Sequence, residues 1–261
     1  MKYKNYEGTI EDLVLMKLKE IEKEKHVKIL YAVESGSRSW GVASPDSDYD
    51  VRFVYLSEKN KYLSLQEHKD YIDWELNEVL DINGWDLKKV LRFFHGSNAT
   101  VFEWANSPAY YTTPEWEKLY EAAAPYFSCK SVLFHYYGTA MSNFQKHFQE
   151  DLVQYKKYIY VLRPLLCCKW IEEKKCPPAM SFDTLMQEVL EEEMMPVVSE
   201  MLEKKVNMPE AGKAPKIEPL SRYIEEKLKY YKQLAAEMPG DKKQDWEPLE
   251  EAFLQVLDAQ A

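Results

Sequence analysis

Val27-Lys28-Ile29-Leu30-Tyr31-Ala32-Val33 runs without a break into Glu34-Ser35-Gly36-Ser37-Arg38, and Ser47-Asp48-Tyr49-Asp50-Val51-Arg52-Phe53 follows after a short polar interval. The first seven residues are rich in branched and aromatic side chains and short enough for a buried strand, which ends at the small, polar Ser35-Gly36-Ser37. Beyond the turn Ala43-Ser44-Pro45-Asp46-Ser47, the spacing predicts a second strand from Tyr49 to Tyr55. Upstream, Thr9 with Asp12 three positions on is an N-terminal capping pattern, and Ile10, Leu13, Met16, Leu18 and Ile21 continue it as a helix to about Lys25.

Downstream, strands are expected near Asp70 to Glu75 and Glu78 to Ile82, then a turn at Asn83-Gly84 and a helix from Trp85 to His95 with Leu87, Val90, Leu91 and Phe94 along one face. From Pro114 the strand signal fades. Helices are expected over 115–124, 131–150, 152–173, 183–193, 219–238 and 246–258, with an exposed loop from Asn207 to Pro219 carrying Pro209, Gly212 and Pro215. The chain therefore reads as α+β: a mixed-sheet domain over 1–112 followed by an all-helical domain over 113–261.

At 261 residues the chain can bury a sizeable core without staples. Its 34 Lys and Arg against 44 Asp and Glu leave a net charge of -10, which excludes a general coater of duplex nucleic acid, since phosphate contacts dominate that kind of binding. Any nucleic-acid substrate needs a local basic patch or a nucleotide-sized site. Cys129, Cys167, Cys168 and Cys176 have neither zinc-site nor redox-motif spacing and read as reduced structural thiols. The start lacks the apolar run of a signal peptide, and no apolar stretch is long enough to cross a bilayer, so a cytoplasmic protein without a membrane partner is expected.

The chemistry lies in the opening stretch. Asp48 and Asp50 flank one tyrosine at the start of a strand, and alternate strand residues project from one face, so both carboxylates can aim at a common place. Two such charges repel, and a divalent cation relieves that repulsion; hard oxygen donors suit Mg2+ or Mn2+. Gly36 permits close backbone approach and Ser37 can donate to a phosphate oxygen. Arg38 and Arg52 supply cations, either for phosphate or as structural partners of the acids. Together these parts point to phosphoryl or nucleotidyl transfer, in which two metals about 3.5–4 Å apart align an attacking hydroxyl and stabilise the departing pyrophosphate. A calcium loop is the rival: Asp46, Asp48 and Asp50 match its first three positions, but Val51 stands where glycine is required and Ser57 where glutamate is required.

A third acid is expected from another strand. Asp81, in the apolar context Val79-Leu80-Asp81-Ile82, is the choice over Asp73, Glu75 and Glu78; the competing reading makes it a cap for the following helix. Helical spacing also brings Lys157 near Tyr160 and Tyr160 near Arg163, either as cations and an aromatic face for a nucleotide or as core packing around a buried arginine. Lys88 and Lys89 could reach phosphate or be solvated.

These residues are similar to the DNA polymerase beta superfamily signature, in which Gly-Ser precedes an Asp-x-Asp pair on the adjoining strand. The segments 34–41, 47–53, 84–89, 102–104 and 157–164 resemble one branch more closely, the nucleotidyltransferases named for an RNA repair pathway (RlaP, or YcgL-like), over residues 28 to 172. Asn98-Ala99 departs from the branch's usual Asn-Pro, and Ala105 stands where a bulky apolar residue is usual. The resemblance implies a polymerase-beta-like nucleotidyltransferase domain, in which Gly36 and Ser37 hold a nucleoside triphosphate and Asp48, Asp50 and Asp81 hold metal. An RNA end is the acceptor it implies; a small molecule, a protein side chain, or a nucleotide-sensing or antitoxin-like module without turnover are the alternatives.

Overall fold

Thr9 opens helix α1 (Ile10–Lys25) as its spacing predicts: its hydroxyl accepts the Asp12 N–H at 3.1 Å, and the Asp12 carboxylate accepts the Thr9 N–H at 3.2 Å, a reciprocal capping box. The computed structural model describes residues 8–44, 47–77, 79–206, 212–240 and 245–259. Pro45, Asp46, Glu78 and the first part of the expected 207–219 loop lie outside the described residues.

Strand β1 (Val27–Ser35) runs into a single helical turn, α2 (Gly36–Ser39), and returns antiparallel as β2 (Tyr49–Ser57). A short helix α3 (Lys59–Tyr62) precedes β3 (Tyr71–Leu76) and β4 (Leu80–Asp86). Helices α4 (Leu87–His95) and α5 (Ala99–Ala105) lead to β5 (Ala109–Thr112). The five strands form one mixed sheet in the order β3-β4-β2-β1-β5, with β2 and β4 parallel and the other neighbours antiparallel. One face packs Val51, Phe53, Tyr55, Leu80 and Ile82 against Leu13, Val14, Leu18 and Ile21 of α1.

The expected turn at Asn83-Gly84 is absent, and both residues lie inside β4. The reason is packing: a Cβ on Gly84 would enter the ring of Phe53, so glycine here lets an aromatic of the neighbouring strand close over the backbone. The helix consequently starts at Leu87 and not Trp85, and Asp86, not Asp81, is its cap, accepting the Lys88 N–H at 2.9 Å.

The chain divides into two compact units, Met1–Tyr126 with Gln244–Ala261, and Phe127–Lys243. The boundary differs from the expected one at residue 112. Helix α6 (Pro114–Ala123) belongs with the sheet, because Trp116 stacks on Tyr31 of β1 with centroids 4.5 Å apart. The second unit holds α7 (Cys129–His147), β6 (Leu152–Gln154), α8 (Tyr155–Lys174), α9 (Phe182–Val189), α10 (Met195–Val206), β7 (Lys213–Pro215) and α11 (Glu218–Glu237). It is helical around one antiparallel ribbon, β6 with β7, so residues 213–215 of the expected loop are a strand. The last helix, α12 (Glu247–Asp258), rejoins the first unit against α4 and α6, burying Leu249, Val256 and Leu257. Among the described residues no helix is long and apolar enough to cross a membrane.

Candidate active site

The end of β1 and the start of β2 pair Ser35 with Asp50, so the Gly36 turn closes directly over the Asp50 carboxylate. Gly36 has φ 62°, the left-handed region, and a Cβ there would lie 2.9 Å from Asp50 Cγ and closer still to Oδ2. Glycine is required twice over, by its conformation and by the acid pressed against its Cα. Ser37 lies in the same turn, its carbonyl accepting the Val42 N–H at 3.1 Å.

Parallel pairing of β2 with β4 sets Asp50 opposite Asp81. The third acid anticipated from the sequence is therefore the immediate cross-strand neighbour of the second. Two of its competitors are occupied elsewhere, Asp73 accepting from Asn83 and Glu75 lying 3.6 Å from Lys17, and the third, Glu78, is outside the described residues. Arg52, two residues after Asp50 and on the same face, bridges the two acids, donating to Asp50 Oδ1 at 3.0 Å and to Asp81 Oδ2 at 2.7 Å. Arg38 instead grips the backbone, donating to the carbonyls of Ser47 at 2.6 Å and Asp48 at 2.9 Å, with its guanidinium 3.7 Å from the centroid of Tyr49. That clamp fixes the approach of Asp48 to the site.

Burial pushes the Asp50 carboxyl above its ordinary range; Arg52 opposes the shift, and the charges of Asp48 and Asp81 reinforce it. The three acids thus share one electrostatic neighbourhood with an excess of negative charge. A hard divalent cation fits this donor set, all carboxylate oxygen from two adjoining strands and the loop before them. In the side-chain arrangement seen, Arg52 stands as the cation between Asp50 and Asp81, and among the described residues no three acidic, histidine or cysteine side chains converge tightly enough to hold an ion. An ion held by both carboxylates requires the guanidinium to swing aside.

Two residues here were not singled out from the sequence. Glu34, only 6% exposed, accepts the Asp50 N–H at 3.0 Å on one oxygen and the Tyr110 O–H on the other. Burial pushes its carboxyl up, and those two donors partly offset the rise. Glu34 therefore holds the backbone of the central acid from the opposite face. A lone glutamate ending an apolar strand was the available signal, whereas Tyr110 sits on β5, too short to announce itself.

Lys157, Tyr160 and Arg163 all fall on α8 in the second unit. Lys157 does lie over Tyr160, 4.7 Å from its centroid. Arg163 is 3% exposed and donates to Met180 Sδ at 3.6 Å, the setting of a core side chain and not of an open phosphate ligand.

The chain matches the family model described as RNA repair pathway DNA polymerase beta family (RlaP) over residues 10–255. It is 38% identical over 250 residues to a Bacillus subtilis (strain 168) protein titled "Uncharacterized protein YcgL", covering 94% of this chain and 95% of that one. A crystal structure titled as a nucleotidyltransferase-like protein from Exiguobacterium sibiricum 255-15 aligns over 96% of this chain and 80% of its own, at 10% identity and a TM-score of 0.31. With a family match over nearly the whole chain and the acids paired in register beside the Gly36-Ser37 turn, this protein belongs to the RNA repair pathway DNA polymerase beta family, a polymerase-beta-like nucleotidyltransferase family.

Proposed function

We propose that the protein transfers a nucleoside monophosphate from a nucleoside triphosphate to a hydroxyl, with an RNA end as the acceptor. The observation that carries this reading is the register Ser35–Asp50–Asp81 across three adjacent strands, which gathers the acids under the Gly36-Ser37 turn. Asp48, Asp50 and Asp81 would hold Mg2+ or Mn2+, which when bound neutralises the triphosphate and polarises its α-phosphorus. Gly36 lets the backbone approach the triphosphate, and the Ser37 hydroxyl donates to one of its oxygens. Asp81 takes the proton of the attacking hydroxyl. Arg52, once released from the two carboxylates, becomes free to pair with phosphate, and Arg38 keeps Asp48 in position through the Ser47 and Asp48 carbonyls.

The family's description supports RNA as the acceptor class. The test is incubation with each labelled triphosphate, Mg2+ or Mn2+, and RNA oligonucleotides with different ends, using Asp48→Ala/Asp50→Ala as the control. Label on RNA from the wild type alone is the expected result. Pyrophosphate release that is equal in both proteins would refute the role of the acids, and label on protein would refute the acceptor.

A further inference from the structure

At the opposite end of the sheet from Asp50 and Asp81, two cavities of the first unit meet along one ridge of α4. Lys88 and Arg92 are one turn apart, so both project from the same exposed face, and both line each cavity. The first cavity, about 440 Å3, is bounded by the end of β2, by α3 and by the 64–70 loop, and it carries Lys61, Lys69, Lys88, Lys89 and Arg92. Its acids are largely committed: Asp70 pairs with Lys89 at 2.9 Å, and buried Asp86 already takes the Lys88 N–H and the hydroxyls of Ser57 and Tyr62, each at 2.9 Å, leaving Glu67. Five cations against three acids leave a local positive excess in a chain of net charge -10.

The second cavity, about 450 Å3, has the contrasting character. Its wall is Leu91, Leu249, Leu254, Phe253 and Trp246, with Glu250 as its acid. Trp246 is 43% exposed, and its indole is stacked on His95 with centroids 3.5 Å apart and planes 4° from parallel. That stack holds a flat aromatic surface rigid at the edge of the unit. An anion-binding hollow beside an aromatic, apolar hollow, with shared cations between them, matches a ligand that alternates phosphates with flat bases.

We propose that this ridge docks a single-stranded RNA segment, with phosphates against Lys61, Lys69, Lys88, Lys89 and Arg92 and a base against Trp246 and Phe253. The proposal rests on the RNA acceptor of the preceding reading and gives it an anchoring site. Five residue steps along β4 lead from Asp81 to Asp86 beside the cationic cavity, about 17 Å at strand rise. Asp81, Asn83 and Trp85 alternate onto one face of that strand. A strand anchored on the ridge thus spans the interval to the acids with about five stacked nucleotides.

Fluorescence anisotropy of the full chain with a 5′-labelled single-stranded 12-nucleotide RNA, at 50 and 200 mM salt, tests this. Lys88→Glu/Arg92→Glu should weaken binding at least tenfold and flatten the logarithmic salt slope by about 1.4, two phosphate contacts' worth for a single strand. Trp246→Ala should weaken it about tenfold through lost stacking. Lys61→Glu/Lys69→Glu provides a second charge reversal, on the other wall, should the first alter the thermal melt. Wild type that does not bind, or binding indifferent to both charge reversals, overturns the site. Equal competition by heparin together with an unaffected Trp246→Ala overturns the base contact and leaves a general polyanion surface. RNA binding lost on charge reversal but without any nucleotide transfer upholds the ridge and refutes the catalytic reading; transfer with indifferent charge reversals does the opposite.

Discussion

Replacing Gly36 with alanine tests whether the turn after β1 exists to make room for Asp50. At φ 62° an alanine costs about 1 kcal/mol more than glycine. Its Cβ would stand 2.9 Å from Asp50 Cγ, against an ordinary carbon–carbon contact of about 3.5 Å or more, so the carboxylate must rotate or the turn must lift. An off-rotamer aspartate costs about 0.5–1.5 kcal/mol, giving a total of about 1.5–2.5 kcal/mol and a fall of about 3–10 °C in the melting temperature of the sheet unit. Displacing the acid by about 1 Å should also lower nucleotidyl transfer about 10²-fold. The stability readout closes a double-mutant cycle: on an Asp50→Ala background the clash with the carboxylate is gone, and Gly36→Ala should cost only its conformational part, about 1 kcal/mol. A melting temperature that does not change in Gly36→Ala, or an equal cost on both backgrounds, would refute the close-packing of turn and acid.

Gly84→Ala should destabilise the sheet by about 1–3 kcal/mol, because its Cβ must displace the Phe53 ring in a packed core; denaturant midpoints within a few tenths of a kcal/mol of wild type would contradict this. Glu34→Ala, which leaves the Asp50 N–H without its acceptor, should cost about 1–3 kcal/mol, while Glu34→Gln should cost less, since the amide oxygen can still accept from Asp50 and the Tyr110 hydroxyl can turn to accept from the amide nitrogen. Equal losses in the two variants would remove Glu34 as the support of Asp50. In the second unit, Glu191 accepts from Lys227 at 2.5 Å, Tyr223 at 2.6 Å and Lys169 at 2.8 Å. Burial alone would raise its carboxyl, but these donors bring it from the ordinary 4.5 down to about 2. A lowered folded-state value contributes stability that is present above the unfolded value and lost as pH falls through the folded one. The stability gap between wild type and Glu191→Gln should therefore be constant at neutral pH and close between pH 4.5 and about 2; a gap that persists at pH 2 would refute the pairing.

Local signals were sufficient wherever a neighbour within a few residues does the work. The Thr9–Asp12 cap, the apolar spacing of α1 and the branched run of β1 and β2 depend on contacts inside one turn or one strand, and each stands where the spacing put it. The two-residue alternation of Asp48 and Asp50 is likewise local chemistry. By contrast, Asn83-Gly84 has the composition of a turn, and only the Phe53 ring from another strand makes it an extended segment. The β6–β7 ribbon escaped for a related reason: its two three-residue strands find each other across some sixty residues of chain.

The composition and order of the residues were enough to specify a mixed α/β part, a helical part, and a cluster of acids beside a Gly-Ser turn, because propensity, periodicity and charge repulsion act over short stretches of chain. Pairing in the sheet decided the rest. It set Asp81 opposite Asp50, drew Arg52 between them, and brought Glu34 and Tyr110 beneath the central acid, since strand register and hydrogen-bond partners are properties of segments far apart in the chain. Packing of α12 on α4 did the same for the Lys88–Arg92 ridge, where cations and aromatics more than 150 positions apart become one surface.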